Sequence, residues 1–320
     1  SLTSMPLPPH FQKLLDGCQE MQLSHLRPLV DRMFENADVA LLDFAEKAES
    51  NMAQSVFFEA MSEVRKKRSA IEQSFFSELK RSFAEFPATP GERDKAPDPE
   101  NILDGLSLID TEEMETSVAT LNATAKIGNR IMDRIYALKQ RLSIVNGGES
   151  VEENQIPGGP TWLGWSFQKA VEQLELENKV RLVFIVLFEK YVLNHADSLY
   201  DEYNKRLILA DILPNLRYEI RKQAGGIEIV QKTVEDGSEQ DQDAADSTET
   251  DSDQTPSDLG NELFGRICEL MAGRPGQTPA TGTGSGNVTP IHGGTASASG
   301  GNAPADVGAA MLSQMTGVQS

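Results

Sequence analysis

Residues 176–216 read LENKVRLVFIVLFEKYVLNHADSLYDEYNKRLILADILPNL. Val180, Val183, Phe184, Leu187, Tyr191, Leu199, Tyr203, Leu207 and Ala210 recur at steps of three and four, with one polar turn around His195. Val186, Phe188 and Val192 widen the stripe until its middle is apolar nearly all round, the mark of a helix inside a bundle rather than on its surface. A strand over Val180–Leu193 is the competing reading. Strands rarely exceed about ten residues, and this pattern runs on for three more turns. The spacing therefore predicts a long core helix, stopped at Pro214.

Upstream the same periodicity returns. Residues 1–10 contain three prolines and are expected to be irregular. After Pro28, placed best in a first helical turn where its missing N–H costs nothing, come Val30, Met33, Ala37, Leu41, Phe44, Ala48 and Met52. Phe57, Met61, Val64, Ile71, Phe75, Leu79 and Phe83 repeat the spacing, giving two long helices or one bent helix over 29–86. Residues 87–104, with Pro87, Pro90, Gly91, Pro97 and Pro99, read as a linker. Asp110 and Glu113 then form a capping-box-like start. Met114, Val118, Leu121, Ala125, Met132, Ile135 and Leu142 make a bundle seam. A Gly/Pro-rich loop over 146–160 leads to a helix over Trp162–Leu174. Ile227–Val230 suits a short helical turn or a strand, and both stand.

Downstream the composition changes. Residues 235–320 hold 13 acidic and 2 basic side chains, against 36 and 27 in residues 1–234. From Thr233 the chain is too polar to offset its own conformational entropy, and residues 273–309 have a flexible-linker composition. Between these tracts Leu259, Leu263, Phe264, Ile267, Leu270 and Met271 share one helical face, with Asp258 as N-cap. The assignment is all-α: an elongated bundle of long helices over 11–232, then a disordered acidic and Gly/Ala/Ser/Thr-rich tail over 233–320 carrying a short amphipathic helix at 259–271.

The net charge of −20 repels nucleic acid and anionic membranes at long range. Cys18 and Cys268 lie far apart with no second Cys nearby, which favours reduced thiols in a cytoplasm. No export signal opens the chain and no run of about 18 apolar residues spans a membrane. A start at Ser1 rather than Met suggests a piece of something longer.

Several segments carry a family resemblance: Phe44-Ala-Glu-Lys-Ala-Glu-Ser-Asn51, Phe58-Glu-Ala-Met-Ser-Glu-Val-Arg-Lys-Lys-Arg-Ser-Ala-Ile-Glu72, Leu106-Ser-Leu-Ile-Asp110, Leu138-Lys-Gln-Arg-Leu142, Leu187-Phe-Glu-Lys-Tyr-Val-Leu193, Leu199-Tyr-Asp-Glu-Tyr-Asn-Lys205 and Ile212-Leu-Pro-Asn-Leu216. Over roughly residues 11–222 they resemble the N-terminal part of the proteobacterial family numbered sixteen thirty-one among domains of unknown function. Some of its members carry the label thymidine phosphorylase. The sequence departs from the family at Asn154-Gln-Ile-Pro-Gly-Gly-Pro160 and at Asp211, where the family pattern has Gly. The resemblance implies a helical fold and supplies no catalytic residue.

The residues do not support the phosphorylase label. Gly147–Gly148 and Gly158–Gly159 follow helical patterns and lack a Gly-Lys-Ser/Thr ending, and Gly282-x-Gly-x-Gly lies in low-complexity chain. Glu112, Glu113 and Glu115 read as first-turn charges that stabilise a helix end rather than as paired catalytic carboxylates. His10, His25, His195 and His292 lack metal-ligand spacing. No catalytic, cofactor or metal residue is assigned.

Three functions remain. The first is a non-enzymatic helical scaffold or regulator acting through protein partners, with self-association open. Leu259, Leu263, Phe264, Ile267, Leu270 and Met271 would enter a partner's groove, or else fold back onto the bundle. The second is a sensor of an anionic nucleotide second messenger using Arg65, Lys66, Lys67 and Arg68, a run that also suits a solvated helix face. The third is an unrecognised enzyme seated between helices around His195, Tyr191 and Asp201.

Overall fold

The computed structural model describes residues 7–91, 111–223, 226–231 and 256–271. Two long helices form its spine, α1 (Pro9–Glu46) and α2 (Asn51–Ala84). At 38 residues α1 is about 57 Å long. The turn between them ends at Ser50, whose hydroxyl accepts the Ala53 N–H at 3.1 Å and caps α2. Asp31 pairs with Arg68 at 2.8 Å and Asp38 with Arg65 at 3.0 Å, the descending order of an antiparallel pair.

Pro28 lies inside α1 rather than at its start. The helix begins instead at Pro9, within the stretch expected to be irregular. Leu15, Cys18, Met21 and Leu26 are buried ahead of Pro28, and their packing outweighs the ring's interruption of the hydrogen-bond ladder.

The other helices wrap this hairpin: α3 (Thr111–Arg130), α4 (Met132–Val145), α5 (Pro160–Val171), α6 (Asn178–Tyr191) and α7 (Asp197–Leu209). Four of them are fragments of two helices that periodicity joined, so seven α-helices lie between residues 9 and 209 where four or five were expected. The single core helix divides into α6 and α7 through a 3-10 turn at Leu193–His195. The seam from Met114 to Leu142 divides at Ile131 into α3 and α4. The two breaks face each other through one guanidinium. Arg130 donates to the Leu193 carbonyl at 3.2 Å, to Asn194 Oδ1 at 3.2 Å and to Asp197 at 2.6 Å. It thus adds a second donor to the Leu193 carbonyl, which already accepts the Ala196 N–H at 3.2 Å within the 3-10 turn.

Phe75, Phe167 and Phe188 meet at the centre, the last two stacked at 4.1 Å and 5°. Phe184, Leu187 and Tyr191 are buried as α6's periodicity requires. At one end, three buried side chains hold the peptide of Gly158: Gln22 Nε2 and the Tyr200 hydroxyl donate to its carbonyl at 2.6 and 3.0 Å, and Ser82 Oγ accepts its N–H at 3.0 Å. Gly158 has φ of +65°, and a Cβ there would collide with the Gln22 amide. Only glycine fits both conditions.

Arg141 is buried between α4 and α7, donating to Asn204 Oδ1 at 2.6 Å and to the Ile212 and Leu213 carbonyls at 3.3 Å. Burial lowers its pKa, opposed by the Tyr218 phenol. After α7 the chain turns through Asp211 (φ +61°) and Leu213 (φ +45°). β1 (Tyr218–Gln223) then pairs antiparallel with β2 (Gly226–Gln231), with Ile220 opposite Ile229. Ile227–Val230 is thus a strand, in a two-stranded ribbon beside an otherwise helical fold.

The Asp110 cap, the linker beyond Gly91, the acidic tract over 233–255 and the tail beyond Met271 lie outside the described residues. Among those described, no helix is long and apolar enough to cross a membrane.

Candidate functional site

The last described helix, α8 (Pro256–Met271), starts three residues earlier than expected. Pro256 occupies the first turn, where proline is tolerated, and Asp258 lies inside the helix rather than at its cap. α8 rests in a groove walled by α1, α3 and α6. Leu259, Leu263, Ile267 and Leu270 are buried there, Leu263 at 1% exposure, and half-buried Phe264 packs against the same core. Of the two alternatives for this segment, the fold-back onto its own bundle is the one seen. Burying four large apolar side chains is worth about 1.5–3 kcal/mol each, and this groove is the apolar surface within reach. The side chain of Met271 is outside the described set.

Polar contacts fix the helix in position. Glu189 on α6 is 3% exposed, and Arg266 grips it with two bonds, Nε to Oε2 at 2.6 Å and Nη2 to Oε1 at 2.5 Å. Lys126 on α3 approaches the same carboxylate at 3.5 Å. Burial alone would pull the Arg266 pKa down, but the bonds and charges of Glu189 and Glu269 raise it overall. Lys190 holds both oxygens of Glu262 at 2.7 and 2.8 Å, and Asn122 on α3 donates to the Leu270 carbonyl at 2.6 Å. That last bond satisfies one of the open carbonyls at the C-terminus of α8. At the end of α1, Lys47 links Asp43 (2.9 Å) to Asn261 (3.2 Å). Gly260 lies so close to Asp43 that a Cβ would collide with its carboxylate. Beside these contacts an open cleft of about 280 Å³ runs along the α6–α8 seam.

The groove's key residues carried weak signals in the sequence. Glu189 is an acid in the most apolar helix of the chain, and Gly260 interrupts an apolar face. Within its own helix each is an ordinary irregularity, and its role comes from the contact with another helix. Asp43, Lys47 and Asn122 gave no signal, because nothing in their own helices marks the face that α8 covers.

The basic run divides among separate partners. Arg65 pairs with Asp38, and Lys67 with Glu63 at 2.7 Å and with the Gln173 carbonyl at 3.2 Å. Arg68 pairs with Glu72 and Asp31 and lies over the Phe34 ring at 5.1 Å. Three of its cations therefore bind α2 to its neighbours instead of converging on an anion; Lys66 is exposed.

His195, Tyr191 and Asp201 likewise serve different neighbours. Tyr191 is buried with Arg32 over its ring at 5.8 Å, Asp201 is paired to Arg134 at 2.6 Å, and His195 is exposed on the 3-10 turn. Glu115 accepts from Asn178 Nδ2 at 2.5 Å, which ties α3 to the start of α6. Among the described residues no three His, Cys, Asp or Glu side chains gather as metal ligands.

The family described as "Protein of unknown function (DUF1631) N-terminal domain" matches residues 10–211. No curated protein and no solved structure matches the chain. All three walls of the groove lie inside the matched span, and α8 lies outside it. With well over half of its length covered, from α1 to the end of α7, the chain belongs to the DUF1631 family through its N-terminal domain.

Proposed function

We propose that the chain is a non-enzymatic interaction module whose groove between α1, α3 and α6 receives an amphipathic helix, with α8 as its resident occupant. One observation carries the reading. α8 is joined to β2 through 24 intervening residues, yet it is seated on the family domain by four buried apolar side chains and by half-buried Arg266 gripping buried Glu189. This is the helix-in-groove mode of recognition, with anchors at i, i+4, i+8 and i+11. Covalent attachment through this connection holds the occupant at an effective concentration of the order of millimolar. A competing helix must therefore be abundant or bind tightly, which suits a regulated scaffold.

The test uses the full chain. Gly260→Leu drives a side chain into Asp43 and should eject α8 from the groove. A labelled synthetic helix of residues 256–271 should then bind that variant at least about tenfold more tightly than it binds the wild type, whose groove is already filled. Equal binding to both, or binding to neither, contradicts the proposal.

A further inference from the structure

We infer that α8 is exchanged between copies of this chain, the groove of one molecule taking the α8 of a second; the inference rests on reading the groove as a helix receptor. The groove makes several independent demands. It needs a residue without a side chain against Asp43, a guanidinium against Glu189 and an acid against Lys190. It also needs four apolar residues at the spacing of 259, 263, 267 and 270. A second copy of α8 meets all of these by identity, so exchange creates no new interface and loses no docking contact.

Connection length limits which helices can exchange. The 26 residues between α2 and α3 are about as many as those before α8, but a single residue ties α3 to α4, so α3 cannot leave alone. Only four residues join α1 to α2 and six join α5 to α6, so those helices stay within their own molecule. The 24 residues before α8 have a covalent reach of at most about 80 Å, greater than the roughly 57 Å length of α1. A reciprocal exchange fills both grooves and joins two chains at two sites. The cost is the loss of the tether's local concentration, so the monomer prevails in dilute solution and the dimer grows as the chain is concentrated.

Charge gives the dependence a sign. Two chains of net −20 repel at long range, whereas half-buried Arg266 meets the buried Glu189 carboxylate at short range, a contact less screened than the long-range repulsion. Added salt should therefore raise the dimer fraction rather than lower it.

The experiment pairs two full-length variants. Glu189→Arg reverses the groove in one chain and Arg266→Glu reverses the helix in the other. Within either chain groove and helix then repel, while across the two chains both grooves are matched. Mixing equal amounts should give a one-to-one heterodimer by native mass spectrometry, with each variant alone monomeric. Lys190→Glu with Glu262→Lys repeats the design at a more exposed pair, so a folding defect at buried Glu189 does not decide the result. Each variant is also offered a synthetic helix with the complementary charge. If the helix binds but both mixtures stay monomeric, exchange is overturned and the groove is left to another protein's helix. If neither helix nor chain binds, the exchange and the receptor reading both fall.

Discussion

α6 and α8 are helices of 14 and 16 residues that meet at the Glu189–Arg266 pair, but they belong to the molecule in different ways. Eleven residues of α6 are buried, on every side of the helix, and its neighbours in sequence hold it within a few residues. α8 buries one face and leaves Asn261, Glu262, Gly265 and Glu269 exposed, and it arrives at the end of a long connection. A helix enclosed on all sides has no alternative environment, so removing it removes the core. A helix seated on one face can leave, and what it uncovers is a groove with its own hydrogen-bond partners. α6 makes the fold; α8 is bound by it.

The largest expected effect separates the two most directly. Phe184→Ala on α6 empties a fully buried aromatic site and should lower global stability by about 3–5 kcal/mol in a denaturant titration. Phe264→Ala on α8 should leave the global midpoint almost unmoved. A loss below about 1 kcal/mol at Phe184 would mean that α6 is peripheral.

Arg266→Ala sharpens the contrast. Removing one partner of a buried pair usually costs about 3–5 kcal/mol, because the other charge stays buried alone. Here α8 can leave and return Glu189 to water, which caps the cost at the docking energy of α8. The expected outcome is loss of α8 protection with a global shift no larger than the opening free energy that hydrogen exchange reads for α8 in the wild type. A shift larger than that opening energy would make α8 part of the core.

The two thiols test the same division through pH. Burial pushes Cys18 in α1 up to about 12, opposed by Arg206, and raises buried Tyr200 and Tyr203 as well. A pKa raised in the fold favours the protonated form there. Its contribution is complete below the unfolded value near 9 and is lost as pH rises from 9 through 12. Core stability should fall across that window by up to about 4 kcal/mol from Cys18 alone, and Cys18→Ala should flatten the fall. Cys268 on α8 is half-buried and its pKa is also raised by burial. Cys268→Ala should leave the alkaline dependence of the core unchanged.

The smallest effect lies in the turn after α7. Asp211 has φ of +61°, a region costly for every residue with a Cβ, though least so for Asn and Asp. Asp211→Gly should stabilise the bundle by about 0.5 kcal/mol, the relief of strain being partly offset by the freer unfolded chain. A destabilised variant would mean that the Asp211 side chain makes a contribution of its own.

Much of this was legible in the sequence. The stripe from Val180 to Leu207 identified an interior helix, and the apolar face at 259–270 identified α8. The breaks at Ile131 and Leu193 were not legible, because the apolar spacing resumes beyond each, and the Arg130 contact that joins them to each other spans 63 residues of sequence. Pro28 misled for the opposite reason: its local preference is strong, and the packing that overrides it lies elsewhere in the fold. The positive φ at Asp211 suits the Gly that the family resemblance led us to expect there, a fact about backbone that residue type alone only hints at. The groove was the least legible part. An apolar helix face records that something covers it, while Asp43, Lys47 and Asn122 acquire their roles only when three helices converge.

Amide hydrogen exchange on the full chain tests the central claim most directly, that α8 is a releasable occupant and α6 part of the fold. Exchange protection reports the free energy of the opening that exposes each amide. The account predicts that residues 259–270 exchange through a local opening well below the global unfolding energy. They should be slowed further as the chain is concentrated, while the amides of Leu182–Phe188 exchange only through global unfolding. If α8 and α6 share one exchange free energy and respond together to denaturant, α8 is an integral helix of the bundle and the receptor reading is wrong.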